Sequence, residues 1–373
     1  MQLTSSALGQ PYLVSLQNTE TLDSFMTYDL NYPSDQQVKQ RITNSFSIGN
    51  FSGFVGDFSK KNLQRLKRCP LVMQVVPDTP FVAYDIQIQE NAPRHLARIS
   101  RRRRMRPGRI YPYVYKPEYI GEGVNAYVID SGVAVNHPEF EGRAKPGKDF
   151  TEEGSGDTNG HGSHVAGLIG SKTYGVAKGV EIIEVKALNS KGTGSLSTIL
   201  AAIEFAVNHR TQSGKQGVVN LSLGSYKNQV LNLVIEEAVK TGLIVVVAAG
   251  NSNTDACLAS PASSPAAITV GAIDDTYDTL TSFSNWGECV DIFASGSGVE
   301  SVNIHNSSQP STLSGTSMAA PIVSGLVANL LSEGIPPDKI KETLLKRSVK
   351  NRMHLSSLLY RRKTPNRIAY NAI

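Results

Sequence analysis

The segment SGTSMAAP, residues 314–321, surrounds one serine with small side chains, which makes Ser317 a candidate nucleophile. A serine hydroxyl attacks a carbonyl only when a base removes its proton and hydrogen-bond donors already face the oxyanion that forms. If Ser317 lies in the first turn of a helix that continues through MAAPIVSGLVANLLSEG, its own backbone N–H is an unpaired donor there. Gly315 and Ala319 would leave room for a substrate, and Pro321 is tolerated only near a helix start.

Two histidines, His161 and His164, lie three residues apart in GHGSHVAG, before a run of small residues that predicts a helix. The helical zinc motif HExxH needs histidines four apart with a glutamate between them, so this spacing disfavours a metal site. An imidazole at a helix entrance, with glycines that let another backbone approach, fits a general base better.

Asp130 ends the apolar run VNAYVID, and Asn251 follows the apolar run LIVVVAAG. A carboxylate at a strand end can reach the edge of a sheet, and an asparagine amide can donate to an oxyanion. Taken singly, each residue also fits an ordinary turn. Taken together, the order Asp, His, Asn, Ser, each at a strand end or helix start, matches the Asp-His-Ser chain order of subtilisin.

The elements that must position these residues follow an α/β pattern from about residue 123. Buried parallel strands are predicted at 124–130, 180–188, 217–223, 242–250 and 266–272, and helices at 195–210 and 229–242. This order predicts a mostly parallel sheet with helices on both faces, whose carboxyl edge collects functional groups. Before about residue 90, three strand-like and two helix-like runs predict a separate, small α+β unit.

Composition narrows the classes of function. The chain has 373 residues and a net charge of +5, and the arginines at 101–104, 106 and 109 supply more than all of that charge. Because this basic run has no interleaved aromatic residues, we favour a solvated or protease-sensitive linker over a nucleic-acid site. No apolar run approaches the ~18 residues of a membrane span, and the first residues show no basic-then-apolar signal peptide.

The cysteines, Cys69, Cys257 and Cys289, are too few for a disulfide scaffold and match no zinc pattern. Two alternatives stay open from the sequence. Cys257 and Cys289 form one bridge in an oxidising compartment, or all three are buried free thiols.

The motifs VIDSGV, NGHGSHVAGLIGSKTYGVAKG, NLSLGS, AAGN, SPAS, FSNWG and SGTSMAAP resemble the subtilase family (peptidase S8), especially its proteinase K branch. The match covers nearly all of residues 119–333. APRHLARIS, SNWGECVDIFA and TPNRIAYN look most like the yeast cerevisin group, including its sporulation-associated members. The resemblance implies a subtilisin-like fold and a serine endopeptidase that works through an acyl-enzyme.

The resemblance also implies roles for individual residues. Asp130, His161 and Ser317 would form the catalytic triad, Asn251 would complete the oxyanion hole with the Ser317 N–H, and His164 would be structural. Further residues would line the substrate cleft or its S1 wall: Gly192, Thr193, Gly194, Ser222, Leu223, Gly224, Ala248, Ala249 and Gly250.

The N-terminal unit is similar to the inhibitor-type (I9) propeptide of this family, a small ferredoxin-like domain that assists folding and blocks the cleft. We therefore expect a zymogen that cleaves itself near Glu90 or Asn91. The expected layout is a propeptide at 1–90, a basic linker or surface-wrapping mature N-terminus at 91–118, a catalytic domain at 119–345 and a C-terminal tail at 346–373.

No cofactor is required by such a mechanism. Calcium is common in the family, and Asp274 or Asp275 occupies about the place of an acidic ligand, but the longer loop here leaves a calcium site unassigned. The expected partners are a peptide or protein substrate and the chain's own propeptide, with no nucleic acid and no membrane span, in a monomer. Family likeness suggests the secretory pathway, the vacuole, the exterior or a spore wall. The competing function is a catalytically blocked subtilase fold in an extracellular or spore-wall layer.

Overall fold

The computed structural model describes residues 11–79 and 86–373. The chain divides into two compact units, Met1–Ala83 and Tyr84–Ile373. Residues 1–10, at the start of the predicted propeptide, and residues 80–85, near its end, lie outside the described residues.

The first unit is a small α+β domain. Its elements are β1 Tyr12–Leu16, α1 Leu22–Asp29, β2 Ile42–Ile48, β3 Phe51–Gly56, α2 Lys60–Leu66 and β4 Val72–Pro77. The strands form an antiparallel sheet in the order β2-β3-β1-β4, which is the ferredoxin-like order. Phe25 from α1 packs on Phe54 from β3, with 4.8 Å between the ring centroids. The predicted ferredoxin-like unit is confirmed.

The second unit contains the remaining elements. Its strands are β5 Gln87–Gln89, β6 Tyr113–Tyr115, β7 Val124–Asp130, β8 Ala144–Asp149, β9 Glu181–Lys186, β10 Gln216–Leu221, β11 Ser225–Tyr226, β12 Ile244–Ala248, β13 Ala259–Ser260, β14 Ile268–Asp274, β15 Thr279–Leu280, β16 Ile292–Ser295, β17 Val299–Ser301, β18 Ser311–Leu313, β19 Val349–Lys350 and β20 Arg367–Ile368. Its helices are α3 Arg94–Ile99, α4 His161–Gly170, α5 Leu196–Ser213, α6 Gln229–Lys240, α7 Thr316–Ser332 and α8 Pro337–Arg347.

The main sheet has the strand order β19-β20-β16-β14-β12-β10-β7-β9-β8, with β15 paired to β14. From β8 to β20 every neighbouring pair on this path is parallel, and β19 and β15 join antiparallel. The strands β7, β9, β10, β12 and β14 coincide with the five predicted ones. Because parallel strands end at the same edge, the residues that follow them gather there.

Helices cover both faces of this sheet, as predicted. On β7, Ala126 and Val128 belong to one core cluster, which also includes residues of α4 and α7. Tyr127 and Ile129, which alternate with them, belong to a second cluster with residues of α5 and α6. Successive side chains of a strand point to opposite faces, so one central strand contributes to both cores.

The segment 91–118 differs from the expected linker or surface wrap, because part of it is buried in the core. Leu96, Ile99 and Tyr113 belong to the main core cluster. The Arg98 guanidinium is fully buried and forms an ion pair with Asp278, with 2.7 Å between Nε and Oδ1. The short helix α3 buries three apolar residues, Leu96, Ala97 and Ile99, and the neutralising partner of Arg98 is 180 residues away. Neither feature is visible as sequence periodicity.

Cys257 and Cys289 form a disulfide, and Cys69 is buried and free. The structure thus selects the bridged alternative. Within residues 11–79 and 86–373, no single helix is long and apolar enough to cross a membrane. The helices α7 and α8, bent by 119° relative to each other, together reach the length and apolar composition of a membrane span.

Candidate active site

Asp130 and His161 are brought together at the carboxyl edge of the main sheet. Asp130 is the last residue of β7 and is fully buried, and His161 is the first residue of α4. His161 Nδ1 lies 2.7 Å from Asp130 Oδ1, which also accepts the Ser131 N–H at 2.7 Å. A carboxylate only accepts hydrogen bonds, so Nδ1 carries the proton and Nε2 is the free base.

Local backbone chemistry fixes the start of α4. Gly160, before the helix, has φ +95°, a conformation that glycine adopts at little cost. A Cβ on Gly162 would lie only 2.1 Å from the carbonyl oxygen of Gly132, the second residue after β7. This glycine therefore allows the helix to approach the strand end, which is the role that the sequence suggested for glycines beside the histidine.

The electrostatic environment favours the protonated form of His161. The Asp130 carboxylate is the main cause that raises the pKa of His161 above its usual value, the Asp157 carboxylate adds to the increase, and burial opposes both. The same interaction would stabilise an imidazolium that forms during proton transfer.

His164 lies on the same helix but has different surroundings. It is fully buried, and its Nε2 lies 3.1 Å from the carbonyl oxygens of Val299 and Ser311, on β17 and β18. Burial lowers the pKa of His164 to about 4. This imidazole is therefore neutral and joins α4 to the β17–β18 hairpin.

Ser317 is the second residue of α7, as the sequence predicted. Its Oγ donates a hydrogen bond to the carbonyl oxygen of Ser222 at 3.2 Å, and the Ser222 hydroxyl donates to the carbonyl oxygen of Ser317 at 2.9 Å. These reciprocal bonds hold the start of α7 against the segment that follows β10. The Ser317 hydroxyl is therefore engaged with the Ser222 carbonyl in this structure.

Two N–H donors border one space in front of α7. Asn251 Oδ1 accepts hydrogen bonds from the Thr316 N–H at 2.8 Å and the Thr316 hydroxyl at 2.9 Å, which leaves its Nδ2 to point elsewhere. A Cβ on Gly315 would lie 3.3 Å from Asn251 Nδ2 and 3.6 Å from the Ser317 nitrogen. The missing side chain of Gly315 therefore leaves space beside both nitrogen atoms.

A cleft of about 550 Å³ extends from Asp130 and His161 along the sheet edge. The predicted cleft residues that line it are Gly192, Thr193, Gly194, Ser222, Leu223 and Gly224. These residues come from the segments that follow β9 and β10. An extended peptide can pair through its main chain with a backbone segment beside such a cleft.

The three remaining predicted residues do not line this cleft. Ala248 and Ala249 are buried at the end of β12, and their side chains pack in two different core clusters. The Gly250 N–H donates to the Thr316 hydroxyl at 3.1 Å. Any contribution of Ala248 and Ala249 to a substrate wall would come from their backbone.

Sequence reasoning missed two side chains that organise the site, Asp157 and Thr316. Asp157 Oδ1 accepts from the Ser131 hydroxyl and the backbone of Asn159 and Gly160, and its Oδ2 accepts from the Ser163 N–H. Its sequence signal is weak, because an aspartate in the loop DTNG looks like an ordinary turn residue. Thr316 carries no separate sequence signal, because it lies within the small-residue run that marks Ser317.

In the loop with Asp274 and Asp275, the Asp275 carboxylate is bound by other protein groups. Asp275 is buried, and its Oδ1 lies 3.0 Å from Arg94 Nε while its Oδ2 accepts from the Ser295 hydroxyl at 2.8 Å. A guanidinium thus neutralises this carboxylate, so the residues do not fit a metal ligand set. Among the residues that the structure describes, no three His, Cys, Asp or Glu side chains cluster as a metal site.

The fold and the site define a class of protein: an α/β serine hydrolase with aspartate, histidine and serine at the carboxyl edge of a parallel sheet. Residues 121–362 match the Subtilase family (Peptidase S8), and residues 6–82 match Peptidase inhibitor I9. The chain belongs to the subtilase family and is a serine endopeptidase made as a zymogen with an I9-type propeptide.

Individual relatives support the same family assignment. The subtilase-type proteinase RRT12 of Saccharomyces cerevisiae is 42% identical, over 100% of this chain and 84% of the relative. Cerevisin of the same yeast is 38% identical, over 97% of this chain and 60% of cerevisin. Among solved structures, a cold-adapted subtilisin-like serine proteinase is 38% identical, with a TM-score of 0.68, over 75% of this chain and 98% of that one. The resemblance to the cerevisin group is confirmed.

Proposed function

We propose that Asp130, His161 and Ser317 are the catalytic triad of this endopeptidase and that Asn251 Nδ2 and the Ser317 N–H form its oxyanion hole. Two observations support the proposal. His161 Nδ1 lies 2.7 Å from Asp130 Oδ1, and the two N–H donors border the space beside Gly315.

In the proposed reaction, His161 Nε2 takes the Ser317 hydroxyl proton while Oγ attacks the peptide carbonyl carbon. The carbonyl oxygen becomes an oxyanion that accepts hydrogen bonds from Asn251 Nδ2 and the Ser317 N–H. The imidazolium then gives its proton to the leaving amine, and the C–N bond breaks. Water, deprotonated by His161, hydrolyses the acyl-enzyme and restores the serine. Asp130 stays ionised throughout, and the reaction needs no organic cofactor.

The substrate in this proposal is an extended peptide that pairs with the segments 192–194 and 222–224, with the backbone of Ala248, Ala249 and Gly250 as the S1 wall. Both segments line the cleft, which supports this view. The Leu223 side chain contributes an apolar surface to the same cleft, which favours apolar residues in the substrate.

Self-cleavage would separate a propeptide at 1–90 from a mature chain with an N-terminal segment at 91–118, a catalytic domain at 119–345 and a tail at 346–373. Glu90 and Asn91 are exposed in a turn between β5 and α3, which supports access to this bond. The released propeptide would act as the inhibitor, and the mature enzyme would be a monomer.

The compartment in this proposal is oxidising, because the chain contains a disulfide. That requirement fits the secretory pathway, with the vacuole, the exterior or a spore wall as destinations.

One experiment tests both the chemistry and the competing structural role. Purified wild type, Ser317→Ala and the control Ser332→Ala, at the other end of α7, are incubated with a fluorophosphonate probe and analysed by intact mass and peptide mapping. We expect wild type and the control to be split near residue 90, with one adduct on Ser317, and Ser317→Ala to stay intact and unlabelled. If wild type also stays full length and unlabelled, the blocked structural protein becomes the better account.

A further inference from the structure

The ammonium group of Lys341, on α8, lies close to three oxygen atoms from the segments that precede β14 and β16. Its Nζ lies 2.9 Å from Asp291 Oδ2, 2.7 Å from the carbonyl oxygen of Ala267 and 3.3 Å from that of Pro265. An ammonium has three N–H donors, so these oxygens can satisfy all of them.

The Asp291 carboxylate is held in place by bonds that do not involve the lysine. Asp291 Oδ2 also accepts the Thr269 N–H at 2.9 Å, and the Asp291 N–H donates to the Thr269 carbonyl at 2.9 Å. The Thr269 hydroxyl donates to the Ala262 carbonyl at 2.9 Å. Removing the ammonium would therefore leave a fixed carboxylate and two backbone carbonyl oxygens around one point.

One carboxylate and two backbone carbonyls are the ligand types that a hard divalent cation such as Ca²⁺ takes. Ca²⁺ tolerates irregular geometry and completes its shell with water, whereas Mg²⁺ demands a near-ideal octahedron. The Lys341 side chain is 34% exposed, so solvent can reach the point where its ammonium lies.

We propose that Lys341 is a tethered cation that occupies a built-in Ca²⁺-type site, so that this part of the enzyme is braced without any dissolved metal. The ammonium supplies the positive charge that the carboxylate and the carbonyls require. Its covalent tether through α8 makes the occupancy independent of the calcium concentration.

The braced segment supports the substrate cleft. Residues 261–267 connect β13 to β14, and β13 pairs with β11, which directly follows the cleft segment Ser222–Gly224. Ser260, on β13, also lines the cleft and bonds through its hydroxyl to Asn232 at 2.8 Å. A brace that cannot dissociate keeps this wall in place in compartments that are poor in calcium.

The test uses the full chain with Ser317→Ala, and intact mass establishes that every variant compared is the same uncleaved chain. Into this background we place Lys341→Met, which keeps the apolar stem and removes the ammonium. The matched control is Lys339→Met on the same helix, where the ammonium is exposed and lies 3.7 Å from Glu342. The melting temperature is measured in EGTA, in calcium and in magnesium, and calcium binding is measured by calorimetry.

We expect Lys341→Met in EGTA to lower Tm by about 3–8 °C relative to Lys339→Met, because hydrogen bonds to a charged group are lost. Calcium, but not magnesium, should restore Tm in a saturable manner, and calorimetry should find one more calcium site per chain than in Lys339→Met. Adding Asp291→Asn should abolish both effects.

Two results would overturn the proposal. One is that Lys341→Met binds no more calcium than Lys339→Met, and the other is that its Tm matches that of the control in EGTA. If Lys341→Met does not fold, Lys341→Gln provides the same comparison, because its amide can still donate to one of the oxygens.

Discussion

Asn251→Ala should lower kcat by about 100- to 1000-fold with little change in KM. Loss of one donor from a subtilase oxyanion hole costs about 2.7–4 kcal/mol of transition-state stabilisation, and about 1.4 kcal/mol corresponds to a factor of ten. The Asn251 side chain is exposed, so its removal leaves no cavity in the core. The penalty therefore falls on the oxyanion, which exists only after the serine has attacked.

A second substitution distinguishes the proposed direct role of the Asn251 amide from a positioning role of Thr316. The Thr316 hydroxyl, which donates to Asn251 Oδ1 at 2.9 Å, is removed in Thr316→Val. One neutral hydrogen bond is worth about 0.5–1.5 kcal/mol, so kcat should fall about two- to tenfold. Because Thr316 acts through Asn251, the valine substitution should have almost no further effect on kcat in the Asn251→Ala enzyme.

The assay is steady-state hydrolysis of a chromogenic peptide by mature enzyme, whose processing is checked by intact mass and whose active-site concentration is titrated with the fluorophosphonate probe. Wild type, the two single variants and the double variant complete the cycle. A near-wild-type kcat for Asn251→Ala would remove the amide from the mechanism. Equal effects of Thr316→Val in both backgrounds would show that Thr316 acts on its own.

Three further predictions follow from the geometry. Activity should rise with pH as His161 loses its proton, at a pKa above the usual histidine value. Asp157→Asn should move this rise in activity to lower pH, because a negative charge near His161 is lost. An unmoved profile of kcat/KM against pH would contradict this. Replacing both cysteines of the bridge, 32 residues apart, with serine should reduce the free energy of unfolding in urea by about 3.5–4 kcal/mol, and an unchanged midpoint would argue against the bridge. Asp278→Asn keeps a residue suited to φ +50° but leaves the buried Arg98 charge without its anion. The free energy of unfolding should therefore fall by about 3–5 kcal/mol. Adding Arg98→Met should recover part of that loss, because the unpaired buried charge is removed.

The central strands of the main sheet were predictable because both of their faces are buried. β7, β10 and β12 read as near-continuous apolar runs, since each contributes to cores on both sides. β8 has the sequence AKPGKD and lies at the sheet margin, where four of its six residues are exposed. A strand that buries so little carries no periodic signal, and proline is tolerated at an edge.

The candidate nucleophile and the candidate base were predictable because each lies at a boundary between elements. The first turn of α7 and the first residue of α4 are marked in the sequence by glycines and small residues around Ser317 and His161. The supporting groups were not predictable. Asp157 and Thr316 act through hydrogen bonds to backbone amides and to one side-chain oxygen, which exist only after distant segments have met.

The position of β20 has a consequence for the timing of synthesis. This strand, at residues 367–368, lies between β16 and β19, so the sheet cannot be completed before the ribosome has released it. Ser317 emerges 50 residues before residue 367, which at about 5–20 residues per second corresponds to a delay of roughly 3–10 s. A nascent chain therefore carries every residue of its proposed triad for several seconds while the scaffold around them is still incomplete. The main sheet is therefore completed only after the segment that carries the proposed nucleophile has been made.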